Sequence, residues 1–156
     1  MLNQLPSEVA AVAATIDPDA YTAADNTPQT SDWVDMADFE SALAVLMTGT
    51  VAATVSITAK LEQATSAAGA GAKDITGKSI TTLTTADGDK QVLINVRGEE
   101  LDVSNNFRYV RLSVTIADSA SPDAAAADFG AAVFGFFPKY GPASDHDLAS
   151  VDEIVN

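Results

Sequence analysis

The stretch TVSITAKLE, residues 54–62, alternates apolar and polar side chains with a period of two. Its apolar positions are Val55, Ile57, Ala59 and Leu61. Because successive side chains of a β-strand point to opposite faces, this alternation predicts a strand with one buried and one solvated face. Half-buried strands are typical of antiparallel sheets, so the stretch favours an antiparallel β fold.

Three other stretches carry strand signals. Residues 91–97 (QVLINVR) and 109–117 (YVRLSVTIA) show the same alternation, which predicts two more half-buried strands. Residues 33–36 (WVDM) predict a shorter strand whose apolar side chains are core candidates. We expect Trp33 within it to be partly buried.

Two apolar runs lack clean alternation, residues 42–47 and 131–137. Such runs indicate strands that are covered on both faces, although composition alone also allows a helical turn at 42–47. Gly49 after the first run and Gly135 within the second favour strands with bulges over helices.

Local signals predict one helix and one hairpin. Pro6 and a possible N-cap at Ser7 predict a short helix over residues 7–14. The threonine-rich residues 79–85 predict a strand, and the Asp-Gly pair in the turn at 86–89 predicts a hairpin that joins it to the strand at 91–97.

Seven or eight short strands separated by Gly, Asp and Ser turns predict an all-β fold, an antiparallel β-sandwich of jelly-roll type. We place the sandwich at residues 31–137, with extended arms at 1–30 and 138–156. The C-terminal arm keeps spaced apolar residues, which a free tail would not need. We therefore expect this arm to lie along a neighbouring subunit or along the protein's own surface.

Composition excludes several classes of function. The 156 residues include no cysteine, which rules out disulfides, thiolate metal sites and a cysteine nucleophile. The formal charge of -14, with only 8 scattered Lys and Arg, disfavours nucleic acid and anionic membranes as partners. The first 14 residues carry no cation typical of a signal peptide, and no apolar run reaches membrane-spanning length. We expect a soluble protein, made in the cytoplasm.

The triplet Gly77-Lys78-Ser79 resembles the end of a phosphate-binding loop, but that loop needs a glycine at position 72, where this chain has Ala72. A strand former follows the triplet where a helix should begin. We therefore expect the triplet to lie in a flexible surface turn and not in a nucleotide site. The lone His146, flanked by aspartates, cannot supply a catalytic zinc site, and its surroundings do not fit a calcium loop. We therefore expect no enzyme activity, no cofactor and no metal.

Several segments together resemble small proteins encoded among the head genes of tailed bacteriophages, prophages and gene transfer particles. They are IDPDAYTA, SDWVDMADFESALAVLMTGT, KLEQATSAAGAGAKDITGKSITTLT, DKQVLINVRGEELDVSNNFRYVRLSVT and FGFFPKYGPASDHDLASVDEIV. The most specific parts are FRYVRLSVT and PKYGPASD, and the resemblance covers most of the chain. It implies a jelly-roll virion component of the decoration, cement or vertex-base type, with no catalytic motif.

From these observations we expect a capsid auxiliary protein that binds the major capsid protein lattice as a trimer or pentamer and stabilises it or anchors a head fibre. It would lie on the capsid surface of virions assembled in the host cytoplasm. The alternatives are a carbohydrate-binding or adsorption module and a head-tail completion protein. The residues expected to contact a subunit or the capsid are Tyr21, Lys139, Tyr140, Leu148, Val151 and Ile154.

Overall fold

The computed structural model describes residues 4–23, 27–120 and 125–155. Parts of both expected arms, residues 1–3, 24–26 and 156, lie outside this range. One short helix and nine strands are α1 Pro6–Val9, β1 Ala10–Thr22, β2 Gln29–Thr30, β3 Val34–Asp35, β4 Phe39–Val51, β5 Val55–Ala64, β6 Lys73–Ser79, β7 Gln91–Arg97, β8 Tyr109–Asp118 and β9 Ala126–Pro138. No helix in the described ranges is long and apolar enough to span a bilayer.

The strands form two antiparallel sheets. The four-stranded sheet has the order β1-β9-β4-β7, and the five-stranded sheet has the order β2-β8-β5-β6 with β3 also paired to β8. If β2 and β3 are counted as one interrupted strand, this is the eight-stranded order of a jelly roll. The predicted all-β jelly-roll sandwich is confirmed. Strands lie at the stretches marked at 42–47, 54–62, 91–97, 109–117 and 131–137, and a two-residue strand, Val34–Asp35, lies within 33–36.

The core lies between the inner faces of the two sheets. Its largest fully buried side chains come from both sheets: Leu46, Val96 and Val133 from one, and Ile57, Leu61, Val110, Leu112 and Val114 from the other. Burying one such side chain stabilises the fold by about 1.5–3 kcal/mol. The alternation of apolar and polar residues at 54–62 is thus the alternation between core and solvent on β5.

The helix predicted over residues 7–14 is wrong. Only Pro6–Val9 is helical, and Ala10–Thr22 is an edge strand that pairs with β9 from Ala10 opposite Phe136 to Thr22 opposite Ala126. Much of the segment assigned to an N-terminal arm therefore belongs to the sandwich. Pairing with β9 outweighs the local helix preference of an alanine-rich stretch, which is a weak effect.

A β-bulge concealed this strand in the sequence. The register of β1 shifts between Val12 and Ala14, so the buried residues Ala11 and Ala14 are three positions apart rather than two. A bulge inserts one extra residue and moves the apolar positions that follow it to the other parity. The period of two is therefore lost at the point where it would have marked a strand.

The predicted hairpin between residues 79–85 and 91–97 is also wrong. The strand predicted at residues 79–85 is not formed, because β6 ends at Ser79 and Leu83 makes only an isolated bridge to Ile57. β6 pairs with β5, and β7 pairs with β4 in the opposite sheet, so the connection crosses the sandwich. The Asp87 carboxylate accepts a hydrogen bond from the Thr84 N–H at 2.9 Å, and the Thr48 hydroxyl donates to the Asp87 carbonyl at 2.8 Å. The turn is therefore anchored to β4 and does not close a hairpin.

Candidate interaction surfaces

The C-terminal segment, residues 139–155, docks on the free edge of β1. The Asp147 carboxylate accepts a hydrogen bond from the Val12 N–H at 2.6 Å, and the Leu148 N–H donates to the Val12 carbonyl at 2.9 Å. Unpaired edge strands invite pairing with other chains. The segment covers this edge at the bulge, so the expectation that it lies on a surface is met by the protein's own surface.

The sole histidine packs inside this segment and is not part of a solvated tail. The His146 Nε2 lies 3.0 Å from the Tyr140 carbonyl, an acceptor, so this nitrogen carries a hydrogen. The imidazole also meets the Phe39 ring edge-on, with centroids 5.3 Å apart. Ala143, in the 3₁₀ turn Ala143–His146, is fully buried. His146 therefore has a packing role.

Five of the six residues expected to contact a partner lie on the C-terminal segment. Leu148 and Val151 are half-buried, and the Val151 N–H donates to the Leu148 carbonyl at 3.0 Å. Lys139 donates from Nζ to the Met36 carbonyl at 3.0 Å. Tyr140 and Ile154 point outward, 73% and 41% exposed. Among these five, the largely exposed apolar side chains are Tyr140 and Ile154.

The sixth predicted contact residue, Tyr21, lies at the other end of β1. Nine residues separate it from Val12, which corresponds to about 30 Å along a strand. Its ring lies against Phe129, with centroids 4.5 Å apart, and its hydroxyl donates to the Asp17 carbonyl at 2.6 Å. Burial, followed by the nearby carboxylates of Asp19 and Asp17, raises the pKa of this phenol. The six residues therefore do not form one site.

Exposed large apolar side chains concentrate where the chain ends meet. Of the eight in the described part, five lie on or beside the terminal segments: Leu5, Phe137, Tyr140, Ile154 and Val155. The helix α1 contacts both β9 and the turn Ala143–His146. A groove of about 500 Å³, the terminal groove, opens there between Gln4, Glu8 and Val9 on one side and Phe137, Pro138, Gly141 and Pro142 on the other.

The outer face of the four-stranded sheet is apolar at its centre. We call this the apolar sheet face and define it by Leu43, Val45, Met47, Leu93, Ala132 and Phe134. Leu43 is opposite Phe134, and Val45 is opposite both Ala132 and Leu93, so these side chains share one side of the sheet. Met47 is 49% and Leu93 59% exposed, and the other four are half-buried.

The runs 42–47 and 131–137 were expected to be covered on both faces. The five-stranded sheet covers their inner face, but their outer side chains keep exposed area within this single chain. Sequence analysis missed the exposed Met47 and Leu93 as surface features. The available signal was Leu93, an apolar residue at a wet-face position of an otherwise alternating strand.

The outer face of the five-stranded sheet has the opposite character. Lys60 bridges Asp74 at 2.6 Å and Glu62 at 3.2 Å, and Arg111 pairs with Glu62 at 2.8 Å. The Arg111 guanidinium also lies over the Trp33 ring, 4.5 Å from its centroid. Charged side chains thus cross the three strands β6, β5 and β8, and Trp33 is partly buried as predicted.

The cations of the chain are already engaged. Seven of its eight Lys and Arg side chains form ion pairs with carboxylates, and the eighth, Lys139, donates to a backbone carbonyl. Binding of a phosphate by any of the seven would therefore compete with a carboxylate. Among the described residues, no group of three or more His, Cys, Asp or Glu lies close enough to hold a metal ion.

The Gly-Lys-Ser triplet lies within β6 and not in a loop, which corrects the expected loop position. The Lys78 ammonium pairs with the Glu100 carboxylate at 2.7 Å. This pair, followed by the hydrogen bond from the Arg97 N–H, lowers the pKa of Glu100. The upstream glycines close the β5–β6 turn, where Gly69 has a φ of +78° and a Cβ would lie 2.9 Å from the Trp33 Nε1. A strand, not a helix, holds the lysine.

No protein-family model and no curated protein matches this chain. It is similar to a chain in the structure of infectious bursal disease virus Gt strain, at 13% identity and a TM-score of 0.45, covering 86% of this chain and 33% of that one. It thus spans about a third of that viral chain. It is also similar to Desmodium yellow mottle tymovirus (11% identity, TM-score 0.39, 87% and 90% covered). A third likeness is to the CBM22-2 xylan-binding domain of Paenibacillus barcinonensis Xyn10C, at 10% identity and a TM-score of 0.38, covering 80% of this chain and 90% of that one. At these identities the likenesses say nothing about function.

Proposed function

We propose that this protein is a non-enzymatic structural component of a tailed-phage head. It is an auxiliary subunit that binds the major capsid protein lattice from outside, as a homo-oligomer, and stabilises the shell or anchors a head fibre. It works without a cofactor, on virions assembled in the host cytoplasm. The acidic charge suits an external position, because it repels both neighbouring particles and packaged DNA.

The observation that carries the proposal is the concentration of exposed apolar side chains at the chain ends. Phe137, which lines the terminal groove, is 60% exposed, and Tyr140, next to the lining residue Gly141, is 73% exposed. Val155, in the C-terminal segment, is 84% exposed. Exposed apolar clusters rimmed by polar residues are typical of protein interaction sites. The backbone beneath them is fixed by the docking of residues 147–148 on β1, so the attachment surface is pre-organised.

A binding experiment with capsid shells tests this attachment. Ile154→Asp combined with Val155→Asp should lower occupancy on shells stripped of the protein at least ~10-fold, because two apolar contacts are lost and two charges are buried. The control is Val103→Asp, which changes a side chain of intermediate exposure, 60% against 41% for Ile154 and 84% for Val155, on the 3₁₀ turn Val103–Asn105. Equal occupancy for both variants, or label confined to tails, would contradict the proposal.

The non-enzymatic part has its own test. Purified protein should hydrolyse no nucleoside triphosphate, because Lys78 is held by Glu100 on a strand. If the protein released phosphate and Lys78→Ala abolished that release, the proposal that the protein is not an enzyme would be wrong, and the proposed attachment to the capsid would be unaffected.

A carbohydrate-binding module is the second candidate. A groove of about 340 Å³ near the start of β8 is lined by Thr65, Ser66, Asn106, Phe107 and Tyr109 among others, which combines rings with polar groups. Two other rings are less accessible to a sugar, because Trp33 is covered by Arg111 and Tyr21 lies against Phe129. Glycan binding lost in Tyr109→Ala would favour this candidate. A head-tail completion protein would instead appear as a ring of six or twelve copies at the portal.

A further inference from the structure

We propose that the apolar sheet face packs against the same face of a second copy of this chain. The inference goes beyond attachment to a shell, because it concerns the isolated protein and a surface separate from the terminal groove.

The face is unusual for an antiparallel sheet. Such sheets commonly alternate apolar residues towards the core with polar residues towards solvent. The five-stranded sheet follows that rule with its ladder from Asp74 to Arg111. The four-stranded sheet breaks it, because Leu93, Val45 and Ala132 form one uncharged row across three strands. Leu43 and Phe134 form a second row beside it.

The dimensions of the sheet suit a stable pair. Three of its four strands, β1, β4 and β9, have 13 residues each. At about 3.4 Å per residue and about 4.8 Å between strands, and with 7 residues in β7, the whole outer face of the sheet covers roughly 750 Å². The apolar rows, about 17 Å long on three strands, form roughly a third of it and the more polar remainder forms the rim. One partner in a standard protein interface contributes about 800 Å². The apolar rows run from β9 across β4 to the edge strand β7, where polar Gln91, Asn95 and Arg97 flank Leu93. Asp19 and Asp128 lie beside Met47 at another margin.

Charge favours a copy of this chain over an unlike, basic partner. The protein carries a formal charge of -14, so a basic partner would be steered to its acidic surfaces and away from an uncharged face. The six residues that define the apolar sheet face carry no charge, so two equally acidic chains can meet there with their carboxylates, including Asp19 and Asp128 beside Met47, kept to the margin. Two twisted sheets pack face to face about 10 Å apart, as the two sheets of this sandwich already do. A two-fold pair needs only one self-complementary surface.

Oligomeric state in solution tests the inference directly. In sedimentation equilibrium, wild-type protein should dimerise, and Leu93→Asp combined with Met47→Asp should raise the dissociation constant at least ~10-fold. Both side chains are about half exposed, so the fold should survive, which circular dichroism checks. The matched control is Thr58→Asp with Thr76→Asp on exposed positions of the five-stranded sheet, which should dimerise like wild type.

A cross-linking experiment locates the contact. The chain has no cysteine, so Ala132→Cys introduces a single thiol near the centre of the face. A short bis-maleimide should join two copies of this variant and should leave Thr58→Cys monomeric. Raising NaCl from about 50 mM to about 500 mM should strengthen the dimer, because salt screens the repulsion between acidic chains.

A wild-type protein that stays monomeric, a dimer unaffected by the Leu93 and Met47 changes, or a cross-link at Thr58→Cys would each overturn the inference. The terminal variants carrying Ile154→Asp and Val155→Asp should dimerise normally. Failure of shell binding and failure of self-pairing are therefore separate outcomes.

Discussion

Asp147 and Val12, 135 residues apart in the chain, are joined by a hydrogen bond of 2.6 Å between the Asp147 carboxylate and the Val12 N–H. Val12 lies at the register shift of β1, where the strand bends. The Val12 carbonyl accepts the Leu148 N–H on the same edge. Two backbone groups of an edge strand are thus satisfied by the C-terminal segment, which ties the two ends of the chain together.

Asp147→Ala should release this end of the protein. Loss of the carboxylate leaves the Val12 N–H without its acceptor, and we expect the free energy of unfolding to fall by about 1–3 kcal/mol. Amide hydrogen exchange at Val12 and Leu148 should accelerate. Asp152→Ala, in the exposed part of the same segment, is the control and should change neither measurement. Unchanged exchange in Asp147→Ala would show that the contact does not hold the segment.

Gly135→Ala should destabilise the junction of β4 and β9. A Cβ at position 135 would lie 2.6 Å from the Phe39 ring, so the ring must move, at a cost of about 1–3 kcal/mol in urea unfolding. Gly98→Ala is the control, because its Cβ would meet no atom closer than 3.9 Å. Adding Phe39→Leu to Gly135→Ala should cost less than the sum of the two changes, since both act on one clash. Strict additivity would contradict this explanation.

The carboxylate of Asp118 should make the free energy of unfolding depend on pH. Hydrogen bonds from the Ala120 N–H at 2.9 Å and the Ala125 N–H at 3.1 Å contribute to lowering the pKa of this carboxyl in the folded protein, with the Ala120 bond the largest cause. A lowered pKa stabilises the fold above the unfolded value of about 3.9 and loses that effect as pH falls through the folded value.

Asp118→Asn should therefore unfold at lower urea than wild type at pH 7, and the gap should narrow as pH falls below about 3.9. Asp152→Asn should unfold at the same urea concentration as wild type, both at pH 7 and at low pH. A gap that stays constant with pH would mean that the charge of Asp118 does not stabilise the fold.

Arg111→Ala should expose the single tryptophan and weaken the charge ladder. The guanidinium covers Trp33 and pairs with Glu62, whose side chain is only 14% exposed. We expect a red shift of tryptophan emission and a loss of about 2 kcal/mol, typical of hydrogen bonds to charged groups. Arg97→Ala removes a pair that is about three-quarters exposed and should change stability by less than ~1 kcal/mol. An unshifted emission spectrum in Arg111→Ala would show that Arg111 does not shield Trp33 from solvent.

Alternation predicted β5, β7 and β8 correctly because those strands face core on one side and solvent on the other along most of their length, with Ala64 and Ser113 as buried exceptions on the wet face. β1 was missed because its bulge breaks the period, and small alanines give no strong signal of either strand or helix. The hairpin was misassigned because a turn signal such as Asp87-Gly88 shows that the chain turns, not which strand it then joins. Of the six predicted contact residues, the sequence could not show that Tyr21 lies far from the others.

The amino-acid sequence by itself determined that this is an acidic, cysteine-free, all-β chain, and it determined which side chains of each alternating strand share a face. Those properties are local, because the side-chain period of a strand does not depend on its neighbours. Only the tertiary structure decided which strands share a sheet, that residues 147–148 cover the β1 edge, and that the outer side chains of β4, β7 and β9 meet in one apolar face. Strand pairing joins residues far apart in the chain, and period alone does not choose the partner.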